Sequence, residues 1–413
     1  MSATSASVSA PDTTERTPWG QHALLYVVFF LMGAEMYLVS PLLPQISHAF
    51  GVTAAAAATV VTAYVIVYAV TGPPLGLLAD RYPRKRSAVA GSLVFLLGNT
   101  ACAFAPSLTT LVLARGLTGL GAALAAPAIW AYLAERTATH QRGRAISLGA
   151  SVYSLGQVLG VPMGTLLAGF GGWQAPFLAV SVLMAIATLT LADRLESMPV
   201  TRPPRGLGAL FRPWRSDEIR LGLVATFLLQ AARLGAYSYI GILFATRFGM
   251  GLTALGLVGL LVGAGSMIGS LCAGAAFDAL TERGVAGTWL SVLGALLFVP
   301  CAIVATTTHH VTVALVALGL WCVFGGVFYS SQQTHLASAD PAQRASVVAW
   351  NNSMMNAGIA FGTTVLGAVA LGGAPFAAIT AILGLAAAAF AAVPLVHRRA
   401  STPLPARPRR RHR

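Results

Sequence analysis

The sequence predicts an all-α membrane protein with twelve transmembrane helices in two pseudo-symmetric six-helix bundles. Three observations support this class. The 413 residues are 56% hydrophobic and only 9% charged, whereas a soluble globular chain carries about 25% charged residues. The charges are clustered, and the stretches 87–114 and 145–192 hold none. The two halves of the chain also share features at a constant offset.

Each long apolar segment is predicted to be a membrane-spanning helix. A run of about 20 such residues crosses a hydrocarbon core about 30 Å thick as a helix. Lipid supplies no partner for the backbone N–H and C=O groups, so these groups must bond within the segment. The twelve predicted spans are 20–43, 54–79, 87–105, 108–134, 143–170, 174–192, 220–244, 253–279, 286–306, 311–337, 344–371 and 375–396.

The basic residues predict that both termini are cytoplasmic. In that orientation, 23 of the 26 basic residues lie in inner loops and tails, and the outer loops hold only Arg247. This distribution follows the positive-inside rule. The net charge of +14 is therefore explained by the orientation of the chain in the membrane. It argues against nucleic-acid binding, because the arginines flank membrane spans and do not form one face of a soluble fold.

An internal repeat divides the chain. A shift of 198 residues aligns Phe50-Gly51 with Phe248-Gly249, Gly76 with Gly274, Asp80 with Asp278, Gly160 with Gly358, and Gly164 with Gly362. Two six-helix halves with a site at their interface are a transporter architecture. The predicted divisions are a disordered tail 1–18, a first bundle 19–192, a cytoplasmic linker 193–219, a second bundle 220–397 and a basic tail 398–413.

Three charged residues lie inside predicted spans. At 1.5 Å per residue, Glu35 is about 21 Å from the inner face, and Arg115 and Arg233 are about 18 Å from it. The 198-residue offset also pairs Glu35 with Arg233. Because an intramembrane charge is costly, we expect the three side chains to surround an aqueous cavity near the midplane.

Their predicted roles differ. Glu35 is the candidate proton-binding group, and Arg115 its candidate partner in proton coupling. The alternative is a permanently ionised pair that only joins helix 1 to helix 4. For Arg233 the sequence leaves three roles open: binding substrate, pairing with Glu35, or stabilising the interface. The sequence does not choose between a cationic, an anionic and a neutral cargo.

The loop between spans 2 and 3 carries the most specific motif. It reads Gly76-Leu-Leu-Ala-Asp80-Arg81-Tyr-Pro83-Arg84-Lys85. It resembles the signature loop of the major facilitator superfamily, with Pro83 in place of the usual glycine. The resemblance covers about residues 20–397. It implies an inner gate in which Asp80 pairs with a nearby arginine and with the N-terminus of the eleventh span (344–371). Gating residues are then Gly76, Asp80, Arg81, Arg84 and Lys85, with Asp278 as the weaker second copy.

Helices 4 and 5 carry two further motifs. Arg115 and the small residues after it resemble the helix 4 motif whose arginine is implicated in proton transfer in drug:proton antiporters. Gly156, Gly160, Pro162 and Gly164 are similar to the helix 5 antiporter motif of exporters, in the version of the sugar-efflux-permease-like branch. Small residues four apart also let helices pack closely in many bundles.

The candidate substrate cavity combines charged, aromatic, thioether and amide side chains. Met and aromatic residues at helical spacing are often core packing. A buried asparagine often serves helix–helix hydrogen bonding. The candidates are Glu35, Met36, Tyr37, Trp130, Tyr153, Gln157, Gln230, Arg233, Tyr237, Asn352 and Asn356.

These observations predict a proton-coupled exporter (antiporter) of small molecules such as drugs or metabolites, working by alternating access in the bacterial inner membrane. Its expected partners are a small-molecule substrate, protons and the lipid bilayer, and we expect a monomer without cofactor other than the proton gradient. Alternatives are a proton symporter importing a sugar or metabolite, and a membrane sensor or enzyme. An enzyme is disfavoured because the sequence lacks a metal-ligand cluster and a nucleotide-binding lysine loop.

Overall fold

The structure, a computed structural model, is entirely helical over the residues it describes, which are 17–79, 81–137, 141–197, 208, 210–282, 287–340 and 344–401. The α-helices are α1 (Trp19–Phe50), α2 (Ala54–Ala79), α3 (Arg84–Ala103), α4 (Leu108–Arg136), α5 (Arg142–Gly171), α6 (Gln174–Arg194), α7 (Asp217–Gln230), α8 (Ile240–Phe248), α9 (Leu252–Glu282), α10 (Trp289–Thr307), α11 (Val311–Ala339), α12 (Arg344–Gly367) and α13 (Ala374–Ser401).

Within the described residues, ten spans are long and apolar enough to cross a membrane, and α7 and α8 together form one of them (Asp217–Phe248). The two predicted spans outside this set are α3 and α12. Both are long enough, with 20 and 24 residues, but they are more polar. Three basic residues open α3, and three asparagines lie in α12. Both helices pack within the bundle, α3 against α4 and α12 against α2.

The seventh span is not the continuous helix that the sequence predicts over 220–244. A five-residue π-helical segment, Ala231–Gly235, follows α7, and a turn then leads into α8. The cause is the close approach of α12. A Cβ atom at Gly235 would lie 2.7 Å from the Gly362 backbone, and the Tyr239 hydroxyl donates to the Thr363 carbonyl at 2.7 Å. Such π-bulges are frequent at functional sites.

The repeat is visible in how the first helix of each half ends. α1 extends to Phe50, beyond the predicted end at 43, and stops where Gly51 adopts a left-handed φ of 61°. α8 stops in the same way at Gly249, with φ of 63°. Glycine is the residue that takes this conformation without a Cβ penalty. The aligned Phe-Gly pairs are therefore two equivalent helix stops.

The glycines of the repeat also make equivalent contacts. In the first half, α5 lies against α1, where a Cβ at Gly156 or Gly160 would overlap the carbonyls of Phe30 or Ala34. In the second half, α12 meets α7 and the π-helical segment, with Gly358 against the Phe227 carbonyl and Gly362 against that of Ala231. Backbone-to-backbone contact of this kind is how small residues hold membrane helices together. The two pseudo-symmetric bundles that the sequence predicts are confirmed.

In the part of the chain that the structure describes, the main contacts between the two bundles are made by α1, α2 and α5 of the first. α2 packs against α12, α5 against α9, and α1 against both α8 and α9. Glycines of α9 again mark the close contacts, since Gly256, Gly259 and Gly263 face Thr165, Val161 and Val158 of α5. The interface therefore runs along helices that carry the candidate site.

Arg247, the single basic residue assigned to the outer loops, has a structural role. Its guanidinium donates to the carbonyls of Thr306 at 2.6 Å, Thr308 at 3.1 Å and Gly372 at 3.1 Å. These carbonyls lie where α10 ends and where the chain turns into α13. One cation thus satisfies three backbone acceptors that helix ends and turns leave open.

The close approach of α5 to α1 gives a first prediction. We expect Gly160→Leu to lower the free energy of unfolding by at least the roughly 1–3 kcal/mol typical of overpacking, because the side chain must displace the Ala34 backbone. The measurement is thermal unfolding of the detergent-solubilised protein. Gly169→Leu is the matched control on the same helix, since nothing lies within 4 Å of its Cβ position. Equal melting of both variants would contradict the proposed contact.

Candidate functional site

The structure joins two of the three predicted intramembrane charges. Glu35 of α1 and Arg115 of α4 form an ion pair whose side chains are 0% and 1% exposed. A charge near the bilayer centre costs about 2.5–3.5 kcal/mol on insertion scales. Pairing the two opposite charges offsets the cost of burying each one. The structure thus places Arg115 as the partner of Glu35, one of the roles that the sequence favours.

Arg115 is held on two further sides by α2. Its Nε atom donates to the Val60 carbonyl at 3.2 Å, and its guanidinium lies 4.6 Å from the centroid of the Tyr64 ring. A cation over an aromatic face is stabilised by the ring quadrupole, more so where water is excluded. The ion pair therefore connects α1, α2 and α4, all from the first bundle.

Arg233, the third charge, has a different environment. It lies in the π-helical segment, is 5% exposed, and donates from Nη2 to the Ser266 hydroxyl of α9 at 2.6 Å. Gly325 of α11 makes room for it, since a Cβ there would overlap the guanidinium. Among the described residues Arg233 has no carboxylate partner, and its buried Nε atom has no hydrogen-bond acceptor. It does not pair with Glu35.

A small cavity lies between the bundles beside these charges. Its volume is about 30 Å³, enough for a water molecule or two. It is lined by Met36, Tyr37, Ser40, Val61, Tyr64, Val65, Arg115, Leu234, Tyr237, Ser238 and Ile359. Residues from both bundles form its walls, so relative movement of the bundles must change its volume.

Tyrosines surround this cavity. The rings of Tyr37 and Tyr237 face each other across the two bundles with centroids 5.9 Å apart. Tyr153 of α5 donates its hydroxyl to the Met36 sulfur at 3.4 Å. The predicted cavity residue Gln157 also reaches the Met36 sulfur, at 3.8 Å. Tyr37 and Tyr237 line the cavity itself, whereas Tyr153 and Gln157 lie outside its lining.

The bundles also touch beside the cavity, toward the C-terminal end of α1. The Ser40 hydroxyl of α1 lies 3.1 Å from the Tyr237 carbonyl and 3.4 Å from the Ser238 carbonyl. Gly241 follows, where a Cβ would be 2.9 Å from the Ser40 carbonyl. Ser40 and Ser238 are related by the same 198-residue offset as Glu35 and Arg233. The pseudo-symmetry axis therefore passes through this contact.

Four other predicted cavity residues lie outside the lining. Trp130 packs its ring 4.5 Å from that of Phe29. Gln230 is buried at the end of α7, and its Oε1 atom has no hydrogen-bond partner. Asn356 donates to the carbonyl of Asn352 one turn earlier in α12 at 2.8 Å. These placements explain the residues as packing or local hydrogen bonding around the cavity, and their predicted substrate contacts stay predictions.

The predicted gate is described only in part. Asp80 lies outside the described residues, as does the side chain of Asp278. Arg81 is exposed in the turn after α2, Lys85 is partly buried, and a Cβ at Gly76 would meet open space. Arg84 forms an ion pair with Glu135 of α4, with Nη2 3.0 Å from Oε1.

Sequence reasoning missed the contribution of α2. Tyr64 and Val61 line the cavity, and the Tyr64 and Tyr68 rings stack 6.4 Å apart. Two tyrosines one turn apart in an apolar span were a usable signal. The hydroxyls of Ser40, Ser238 and Ser266 carried no comparable signal, because serine is common in packed membrane helices.

Two related helical bundles with a cavity and buried charges at their interface define a membrane transporter. Residues 25–363 match the family model of the Major Facilitator Superfamily. The chain belongs to the Major Facilitator Superfamily, as the resemblance in the signature loop predicts, and it is a transporter and not an enzyme.

Relatives and solved structures agree with this assignment. The MFS-type transporter YceJ of Bacillus subtilis (strain 168) is 27% identical over 365 residues, which cover 86% of this chain and 91% of YceJ. A chloramphenicol resistance protein of Streptomyces lividans is 27% identical over 279 residues, covering 67% and 70% of the two chains. The inward-facing, unoccupied structure of a bacterial homologue of the human lysosomal transporter Spinster superposes with a TM-score of 0.74 at 16% identity, covering 92% and 96% of the two chains.

The buried pair gives a second prediction. We expect Glu35→Met or Arg115→Met alone to lower the free energy of unfolding by about 3–5 kcal/mol, because each strands a buried charge. The double variant should lose clearly less than the sum, since no charge is then left. A double-mutant cycle on unfolding of the solubilised protein measures this coupling.

The exposed pair Asp217–Arg220, whose Oδ1 and Nη2 atoms lie 2.8 Å apart, is the control for that cycle. Exposed pairs typically couple by about 0.2–1 kcal/mol. A Glu35–Arg115 coupling as small as that of the control pair would show that the two buried side chains are not partners.

Proposed function

We propose that this protein is a proton-coupled secondary active exporter of small molecules that works by alternating access. The observation that carries the proposal is the buried Glu35–Arg115 pair beside a small cavity between the bundles. Arg115 lines that cavity, and Glu35 pairs with Arg115 from outside the lining. A change in the charge of Glu35 therefore acts on a cavity wall directly.

Protonation is the step that couples the gradient to the cavity. A proton that reaches Glu35 from the outer side converts the carboxylate to a neutral carboxyl group and removes the charge that holds Arg115. The guanidinium is then retained by the Val60 carbonyl and the Tyr64 ring of α2. The bond between α1 and α4 weakens while that between α2 and α4 persists. The wall formed by α1 is freed to move, which opens the cavity to the outer side and lets the cargo leave.

Alternating access requires contacts that open in turn on the two sides. On the outer side, the Ser40 contact with Tyr237 and Ser238 joins the bundles. On the side that the charge bias predicts to be cytoplasmic, we assign the gate to the loop around Asp80 and to the start of α12. A carboxylate is favoured at a helix N-terminus, which supports that assignment.

Export is favoured over import by the helix 5 motif and by one relative. Gly156, Gly160 and Gly164 contact α1 directly, so the motif lies beside the helix that carries Glu35. The Streptomyces lividans relative is a chloramphenicol resistance protein, which supports efflux. The relatives named above are bacterial, which supports placement in a bacterial plasma membrane, where the proton gradient is the expected energy source. We assign a monomer, since one chain contains the whole cavity.

The third prediction concerns proton coupling. In proteoliposomes loaded with a substrate found by a sensitivity panel in a pump-deficient strain, we expect Glu35→Gln to abolish proton-driven counterflow. It should retain substrate binding, because the cavity walls remain. The matched control is Asp193→Asn, an acid-to-amide change at a side chain that is 81% exposed.

Full proton-coupled transport by Glu35→Gln would refute the role of Glu35. Direction is tested separately, in inverted and right-side-out membrane vesicles. Accumulation in inverted vesicles under a proton gradient supports export, and accumulation only in right-side-out vesicles supports the importer.

A further inference from the structure

One buried positive charge near the cavity has no role in the proposed coupling mechanism. Glu35 and Arg115 cancel each other. Arg233, 5% exposed, has no carboxylate partner in the described parts of the chain. The centre of the protein therefore holds one uncompensated positive charge, in surroundings where water screens little.

This charge acts on the same cavity. Leu234, Tyr237 and Ser238 follow Arg233 in the chain and line the cavity. Tyr37, on the opposite wall, is close enough to Arg233 to feel its charge. The guanidinium thus lies just behind the wall of the second bundle, with its Nε donor buried and without an acceptor.

The uncompensated positive charge of Arg233 disfavours a cationic cargo. A cation in the cavity meets the field of Arg233. It finds no free carboxylate in return, because Glu35 already holds Arg115. Like charges that share a low-dielectric site repel strongly.

An anionic cargo conflicts with proton exchange. Protonation of Glu35 leaves Arg115 and Arg233 as two uncompensated cations beside the cavity. Their field would bind an anion more tightly at the moment when an exporter must release it. Proton and anion would then bind together, which is the logic of a symporter.

We propose that Arg233 is a charge filter that excludes cations, and that the cargo is an uncharged molecule with an aromatic ring and an oxygen acceptor. The inference rests on the proposed exchange of cargo for protons. Tyr37 and Tyr237 supply faces for the ring, with centroids 5.9 Å apart. The Tyr64 hydroxyl, which lines the cavity, supplies a hydrogen bond to oxygen, and the Ser40 hydroxyl does so once its contact with the Tyr237 carbonyl opens. Chemistry of this kind recognises amides, esters, nitro groups and phenols.

Three probes of one shape test the filter: benzamide (neutral), benzamidine (cation) and benzoate (anion). Binding to the purified protein in detergent is measured by isothermal titration calorimetry at neutral pH without a proton gradient. We expect wild type to bind benzamide at least tenfold more tightly than benzamidine. Arg233→Gln should reduce that preference to less than threefold, mainly by a gain in benzamidine binding. Arg212→Gln, at an exposed position of the linker, is the matched control and should leave the preference unchanged.

Several outcomes would overturn the filter. They are equal binding of benzamide and benzamidine by wild type, failure of wild type to bind benzamide, and a preference that survives in Arg233→Gln. Arg233→Lys, which keeps the charge, should keep the exclusion of benzamidine. If it lost the exclusion as fully as Arg233→Gln does, a change of shape and not of charge would be responsible.

The exclusion of acids has its own test. Glu35→Gln mimics the protonated state, and we expect it to bind benzoate at least tenfold more tightly than wild type does, with benzamide changed less than threefold. Weaker benzoate binding by Glu35→Gln would remove the argument against acidic cargo. These measurements involve no transport. The filter can therefore fail while proton-driven counterflow stands, and counterflow can fail while the filter stands.

Discussion

The rest of the structure depends on the requirement that a charge buried in the bilayer be neutralised. Glu35 and Arg115 meet this requirement together, at 0% and 1% exposure, and in doing so they fix three helices. α1 carries the acid and α4 the base, while α2 provides the Val60 carbonyl and the Tyr64 ring. Removing either charge strands the other, so the pair is a structural joint and, in the proposed mechanism, the point at which a proton acts.

Glycine supplies the second constraint. Helices in lipid gain little from hydrophobic burial against each other, so close packing must hold them. Gly160 rests on the Ala34 carbonyl, one residue from Glu35, and Gly362 rests on the Ala231 carbonyl, two residues from Arg233. Each half thus has a close backbone contact beside its buried charge. Displacement of α1 or of the π-helical segment must therefore be shared with α5 or α12.

The sequence predicted most of the fold because lipid imposes simple rules. Length, apolar runs and clustered arginines were sufficient for the spans, and the Phe-Gly pairs at Gly51 and Gly249 were sufficient for the repeat. The π-helical break at Ala231–Gly235 was not predictable, since it results from the approach of α12, a contact distant in the chain.

In the site, the partnership of Glu35 with Arg115 followed from depth and charge. The cavity wall from α2, with Val61 and Tyr64, did not follow. A tyrosine in an apolar span has the same local pattern whether it faces a cavity or a neighbouring helix. The sequence also left the partner of Arg233 undetermined. Spacing along the chain predicts the depth of this residue in the membrane but not the side chain that it contacts.

The asymmetry of the buried charges explains how a symmetric scaffold can couple two different ligands. Equivalent positions carry Glu35 in one half and Arg233 in the other. The first is neutralised within its own bundle, whereas the second donates to Ser266 and keeps its charge. In the proposed mechanism the first bundle therefore responds to protons and the second selects cargo by charge. The two meet where Ser40 contacts Ser238 across the pseudo-symmetry axis. This contact lies only five residues from each of Glu35 and Arg233. A proton that loosens α1 thus acts on the segment that carries Arg233 through a short, packed connection, and no longer pathway through the bundle is needed.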